Sequence, residues 1–101
     1  MRAQHTPGLI DLVWGDQDAG RDTERQGQFE ITEGQGGQRR FWLVCPGPCK
    51  GLSPLALRPV SDGSPQSWEF NGNTEAPTLS PSIDHRGCWH GFLINGEFQP
   101  C

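Results

Sequence analysis

The chain ends with CWHGFLINGEFQPC, residues 88–101. The Asn95-Gly96 pair in this stretch is a strong signal for a two-residue type I′ hairpin turn, because both central residues of that turn need positive φ. With this turn Ile94 faces Glu97, and further from the turn His90 faces Cys101. Directly opposed residues have Cβ atoms about 4.5–5.5 Å apart. The register therefore predicts that an imidazole and a thiol lie side by side.

The two faces of this hairpin differ in chemistry. Because side chains alternate along a strand, Cys88, His90 and Cys101 are expected on one face. The other face carries apolar residues, namely Trp89, Leu93, Phe98 and Pro100. Pro100 falls at a non-hydrogen-bonded pair, where its missing N–H costs nothing. We therefore expect one face on the core and possible metal ligands on the other.

A second pair of cysteines lies upstream in CPGPC, residues 45–49. Zinc knuckles carry two cysteines a few residues apart on a tight turn. The candidate ligands of one Zn²⁺ ion are thus Cys45, Cys49, Cys88, His90 and Cys101. We predict the set Cys45, Cys49, His90 and Cys101, with Cys88 as a fifth candidate that would replace His90 in an all-cysteine site. Two disulfides, or four unconnected thiols with His90 on the surface, are the alternatives.

The remaining patterns predict a mainly β, small single-domain fold over residues 1–101. It is expected to be zinc-stabilised and hairpin- or ribbon-like, with long irregular loops. Little or no helix is expected, because no window shows apolar residues at helical spacing. Strands are predicted at 9–14, at 29–32 and 40–45 as a hairpin, at 52–60 as an edge, and at 67–70. Residues 15–27 are expected to form a mobile polar loop, and residues 76–83 an extended segment that wraps rather than pairs.

Composition limits the functional classes. Only 33% of the 101 residues are hydrophobic, so the core is thin and a metal would help to stabilise it. The N-terminal residues lack the apolar segment of a signal peptide, and no stretch reaches the roughly 20 apolar residues of a membrane span. These features predict a cytoplasmic, reducing location, in which cysteines bind metals more often than they form disulfides. The net charge of −4 argues against nucleic-acid binding.

Residues 41–101 resemble a family of small phage and prophage proteins of unknown function, some of which are labelled ammonia monooxygenase. The resemblance rests on WEFNGN (68–73), APTLSPSI (76–83), CWHG (88–91), Asn95-Gly96 and Cys101, together with the Cys45 knuckle. It implies a zinc-bearing β-rich fold, no established activity, and a variable region at residues 1–40. The chain departs from the family pattern in the three-residue spacing within its knuckle and in the position of Cys88, two residues before His90.

These observations bear on three functions. The first is a non-catalytic phage protein that has a structural zinc site. It would bind an unknown protein partner, such as a phage assembly component, in the host cytoplasm or the virion. A site closed by four protein ligands favours this function. The second is a zinc-ribbon nucleic-acid-binding module that uses Arg39, Arg40 and Arg86. The third is a metal-dependent hydrolase with Asp84, His85 or Glu75 as base. The first is the prediction, so no catalytic residue and no enzyme activity are expected.

Overall fold

The structure, a computed structural model, describes residues 1–15, 25–61 and 63–101. Within these ranges eight strands form two four-stranded sheets. The first sheet has the order β1-β2-β3-β4, with β1 parallel to β2 and the other neighbours antiparallel. Its strands are β1 (Gln4–His5), β2 (Gln28–Glu33), β3 (Arg39–Val44) and β4 (Leu52–Ala56).

The second sheet is antiparallel throughout and has the order β5-β6-β7-β8. Its strands are β5 (Glu69–Phe70), β6 (Leu79–His85), β7 (Trp89–Ile94) and β8 (Glu97–Pro100). Helix α1 (Leu9–Gly15) and a 3-10 turn (Gln35–Gly37) are the helical elements of the described residues. None of the helices described is long and apolar enough to cross a membrane.

Both sheets contribute to one hydrophobic core. Phe29 of β2 stacks on Phe41 of β3 with ring centroids 4.4 Å apart. On the second sheet, Phe98 meets the edge of Trp89 at 5.6 Å, and Leu93 is fully buried. The prediction of a mainly β single domain is confirmed.

The N-terminal residues join the two sheets. The Phe98 amide of β8 donates to the Met1 carbonyl at 2.9 Å, and the Ala3 amide donates to the Gly96 carbonyl at 2.7 Å. The chain then enters β1 and pairs with β2 of the first sheet. Residues 1–5 therefore cover the outer edge of β8 and connect it to the other layer.

The closing hairpin has the predicted register. β7 and β8 pair Gly91 with Pro100 and Ile94 with Glu97 around Asn95, whose φ is 49°. The Cys101 amide donates to the His90 carbonyl at 3.0 Å, which continues the ladder by one pair. The predicted hairpin of 29–32 with 40–45 is also confirmed, and β4 lies at the edge of its sheet, as expected.

Two element predictions are wrong. Residues 9–14 form a helix instead of a strand, because a carboxylate on β2 caps it: Glu30 accepts hydrogen bonds from the amides of Gly8 and Ile10. Acceptors at this position satisfy the free amides of a helical first turn. Most of the mobile loop predicted at 15–27 lies outside the described residues.

The second wrong prediction concerns residues 76–83. Instead of wrapping over the sheet, this segment supplies β6, which pairs with both β5 and β7. Its register with β7 shifts between Leu79 and Ile83, and the Ser80–Pro81 peptide bond within the shift is cis. A bulge accommodates a residue without an N–H inside a sheet, so Pro81 does not stop the pairing.

Candidate functional site

The cysteine knuckle follows β3 and folds back on itself through backbone hydrogen bonds. The Cys45 amide donates to the Gly51 carbonyl at 2.8 Å, and the Gly47 amide points to the Cys45 sulfur at 3.4 Å. A Cβ placed on Gly47 would lie 2.6 Å from the Cys88 sulfur and 2.8 Å from the Cys88 carbonyl oxygen. Glycine is therefore required where the knuckle meets the β6–β7 turn.

The β6–β7 turn brings two more ligand side chains to the knuckle. The Cys88 amide donates to the His85 carbonyl at 2.9 Å, and Gly87 within the turn has a φ of 77°. Because this four-residue turn is tight, His85 at the end of β6 and Cys88 before β7 reach the same place. Cys88 lies in the turn and does not follow the side-chain alternation expected of it from the sequence.

We call Cys45, Cys49, His85 and Cys88 the cysteine cluster. One ligand atom from each lies within 4.8 Å of the others. The Cys45 and Cys88 sulfurs are 3.2 Å apart, and the Cys49 sulfur is 3.7 Å from His85 Nδ1. Three thiols and an imidazole match the donor set of tetrahedral zinc sites, so this cluster can hold a metal ion.

The same cluster contains a sulfur pair at disulfide distance, Cys49 with Cys88, while Cys45 and Cys101 are free thiols. Two disulfides, one of the alternatives from the sequence, are therefore not present among the described residues. Burial raises the pKa of the Cys45 thiol, although the hydrogen bond from the Gly47 amide acts in the opposite direction. A disulfide uses only the Cys49 and Cys88 sulfurs. A tetrahedral metal site would also use the Cys45 sulfur and the His85 imidazole, which lie beside that pair.

The structure does not assemble the ligand set expected from the sequence. It brings Cys45 and Cys49 together with Cys88 and His85, whereas His90 and Cys101 are not in the cluster. Both of these residues are exposed on the outer face of the second sheet, where the confirmed hairpin register places them. The sequence does contain a signal for His85. His85 and Cys88 flank Arg86-Gly87, much as Cys45 and Cys49 flank the Pro-Gly-Pro of the knuckle.

His90 instead contacts a serine. Its Nε2 atom lies 3.3 Å from the Oγ of Ser82, in the irregular part of β6. Trp68 Nε1 donates to the Ser82 carbonyl at 3.3 Å, which holds the backbone of that serine. Asp84 pairs directly with His90 across the two strands, and opposed residues of this kind have Cβ atoms about 4.5–5.5 Å apart.

Ser82 is also one of the residues that line a cleft. The cleft has a volume of about 300 Å³ and lies between β6 and the segment that leads into β5. Its walls include Pro81, Ser82 and Asp84 on one side and Arg58, Gln66 and Trp68 on the other. Arg58 Nε donates to Ser67 Oγ at 2.9 Å, so this wall is ordered by side-chain hydrogen bonds.

A serine oxygen within reach of a histidine nitrogen is the geometry of an activated nucleophile. Such contacts are often looser in the free enzyme than in the complex with substrate. A protein-family model described as "Bacterial ubiquitination-like system serine protease (BubE)" matches residues 16–101. The chain belongs to the BubE family. Comparisons with curated proteins and with solved structures gave no match.

Membership of the BubE family corrects the functional predictions. The expectation of a non-catalytic phage component, and of no enzyme activity, is wrong, because the family is described as a serine protease. The phage label and the label of unknown function have no support in this match. The match starts at residue 16 and therefore includes the hairpin of β2 and β3.

The sequence patterns do not identify Ser82 as a functional residue. Ser82 lies in the 76–83 segment, which the sequence predicts to be extended and to wrap over the sheet. His90 is among the residues that the sequence predicts to be functional, but as a metal ligand. The two residues belong to different strands, and only the shifted register of β6 against β7 brings their side chains together.

Proposed function

We propose that this BubE-family chain is a serine protease of a bacterial ubiquitination-like system, with Ser82 as nucleophile and His90 as general base. The observation that carries the proposal is the 3.3 Å contact between Ser82 Oγ and His90 Nε2. To Asp84, the residue opposite His90 in the sheet, we assign the role of the carboxylate that stabilises the protonated imidazole.

The reaction is an acyl transfer in two stages. Ser82 Oγ attacks the carbonyl carbon of the scissile bond while His90 Nε2 takes the hydroxyl proton. The tetrahedral intermediate collapses when His90 gives that proton to the departing amine, which leaves an ester on Ser82. His90 then removes a proton from water, the hydroxide attacks the ester, and the acid product leaves as the proton returns to Ser82.

Labelling with a fluorophosphonate probe tests this assignment directly, because the probe forms a bond with an activated serine. We expect one labelled site, Ser82, in the intact chain, and loss of labelling in S82A and H90A. S80A is a matched control, since Ser80 is exposed on the same strand two residues earlier. Equal labelling of S82A and the intact chain would overturn the proposal.

We further infer that the cysteine cluster binds one Zn²⁺ ion in a structural role. Its support is the complete set of four protein ligands, since catalytic zinc sites keep a coordination position open whereas structural sites are closed. A cytoplasmic location would keep the sulfurs reduced and available to the ion. Zinc bound there links the β6–β7 turn of the second sheet to the knuckle of the first.

Two histidine variants separate the metal site from the catalytic pair. H85A is expected to lose zinc, measured by elemental analysis of protein purified without chelator, whereas H90A is expected to keep about one zinc per chain and lose hydrolysis. C101S is expected to retain zinc, because Cys101 is not in the cluster. Zinc loss in H90A and C101S but not in H85A would instead support the ligand set expected from the sequence.

A further inference from the structure

An apolar cavity lies between the two sheets beside the cleft that contains Ser82. It has a volume of about 160 Å³. Apolar side chains from both sheets form most of its wall: Leu43, Leu55, Trp68, Ile83 and Trp89. The cavity and the Ser82 cleft share Gln66, Trp68 and Asp84, so the two are adjacent.

The strand order decides which half of a substrate meets this cavity. In acyl transfer the histidine gives its proton to the leaving group, so the leaving group must lie on the His90 side of Ser82. His90 is on β7, one neighbour of β6, whereas Gln66 and Trp68 precede β5, the other neighbour. The acyl half of the substrate therefore extends over the cleft, toward the cavity.

We propose that this cavity is the subsite for an apolar side chain on the substrate residue whose carbonyl Ser82 attacks. The proposal rests on the proposed serine protease chemistry and adds a substrate class to it. An apolar cavity of about 150 Å³ is large enough to hold a benzene molecule, so a leucine, methionine or phenylalanine side chain fits. Asp84 lines both the cavity and the cleft, so an acidic substrate side chain is disfavoured there.

The preference is measured with 4-nitrophenyl esters of N-acetyl-leucine, N-acetyl-glycine and N-acetyl-aspartate, each corrected for its spontaneous hydrolysis. We expect kcat/KM to be about 10- to 100-fold higher for the leucine ester than for the glycine ester, as is typical for filling an apolar pocket. The aspartate ester is expected to be the poorest of the three. Equal values for leucine and glycine would overturn the subsite while leaving Ser82 chemistry intact.

One variant fills the cavity from its wall. Ser53 is half-buried and lines the cavity, so S53F is expected to reduce the leucine-to-glycine ratio toward one. Q4F serves as control, because Gln4 is exposed on β1 at the opposite edge of the first sheet from β4. An unchanged ratio in folded S53F would contradict the proposal.

A binding measurement keeps the test independent of turnover. Trp68 and Trp89 both line the cavity, so saturable binding of N-acetyl-leucine amide to S82A should change the tryptophan fluorescence, and N-acetyl-glycine amide should change it far less. Absence of any leucine-dependent change overturns the subsite. A third outcome is that S82A binds the leucine amide and still hydrolyses the esters. That outcome would overturn the serine mechanism and, with it, the role of the cavity as a protease subsite.

Discussion

The close approach of the knuckle to the β6–β7 turn gives a quantitative prediction for G47A. The added Cβ would lie 2.6 Å from the Cys88 sulfur and 2.8 Å from the Cys88 carbonyl oxygen. Carbon atoms in contact prefer about 3.5–4.0 Å, so the knuckle and the turn must separate by roughly 1 Å. Metal–ligand distances tolerate only about 0.2 Å, and G47A should therefore lose most of its zinc affinity.

The stability of G47A should fall for the same reason. Overpacking costs about 1–3 kcal/mol, and the weakened metal binding adds to this loss, so we expect about 3 kcal/mol or more. At about 4–8 °C per kcal/mol for a domain of this size, the expected fall in Tm is about 12–24 °C.

The assay combines zinc transfer to a competing chelator with thermal unfolding followed by circular dichroism. G34A is the matched control, because a Cβ on Gly34 would meet only Arg40 Nη1 at 3.6 Å and the Gln38 carbonyl at 3.8 Å, and its φ is −106°. We expect G34A to keep its zinc and most of its stability. If G47A retained zinc with an unchanged Tm, the contact between knuckle and turn described here would be wrong.

Three further predictions follow from particular contacts. D84N should lower kcat by about tenfold or more, because it removes the carboxylate that we assign to stabilising the protonated His90. The free energy of unfolding should change by only about 0.5 kcal/mol because Asp84 is exposed. An equal loss of kcat in E69Q would argue against a specific role of Asp84. F98A should destabilise the protein by about 3–5 kcal/mol in urea unfolding, because Phe98 is 5% exposed and packs on Trp89; a loss below about 1 kcal/mol would contradict its place in the core. Excess chelator should lower the Tm of the intact chain but not that of H85A; the same shift in both would count against His85 as a ligand.

The sequence determined the parts of this protein that depend on neighbouring residues. Asn95-Gly96 specifies a two-residue turn, and a turn of fixed length specifies every opposed pair of β7 and β8. The alternation of Leu93 and Phe98 with exposed residues then specified which face is buried. The hairpin of β2 and β3 was predictable because only a short connection separates its two strands in the sequence.

The sequence failed where a distant residue decides the conformation. Residues 9–14 have an apolar run that suits a strand, but the Glu30 carboxylate on β2 caps them as a helix. Pro81 argued against pairing, yet a register shift within β6 accommodates it between two strands. Neither the cap nor the shift leaves a local signal.

Tertiary structure alone decided the two candidate sites. Cys49 and Cys88 are separated by 39 positions, and only the packing of one sheet on the other brings the knuckle to the β6–β7 turn. That packing selects His85 and Cys88, at the β6–β7 turn of the second sheet, and leaves His90 on the outer face with Ser82. The residue types for both sites are readable in the sequence, but their grouping depends on how two sheets stack, which local periodicity does not encode.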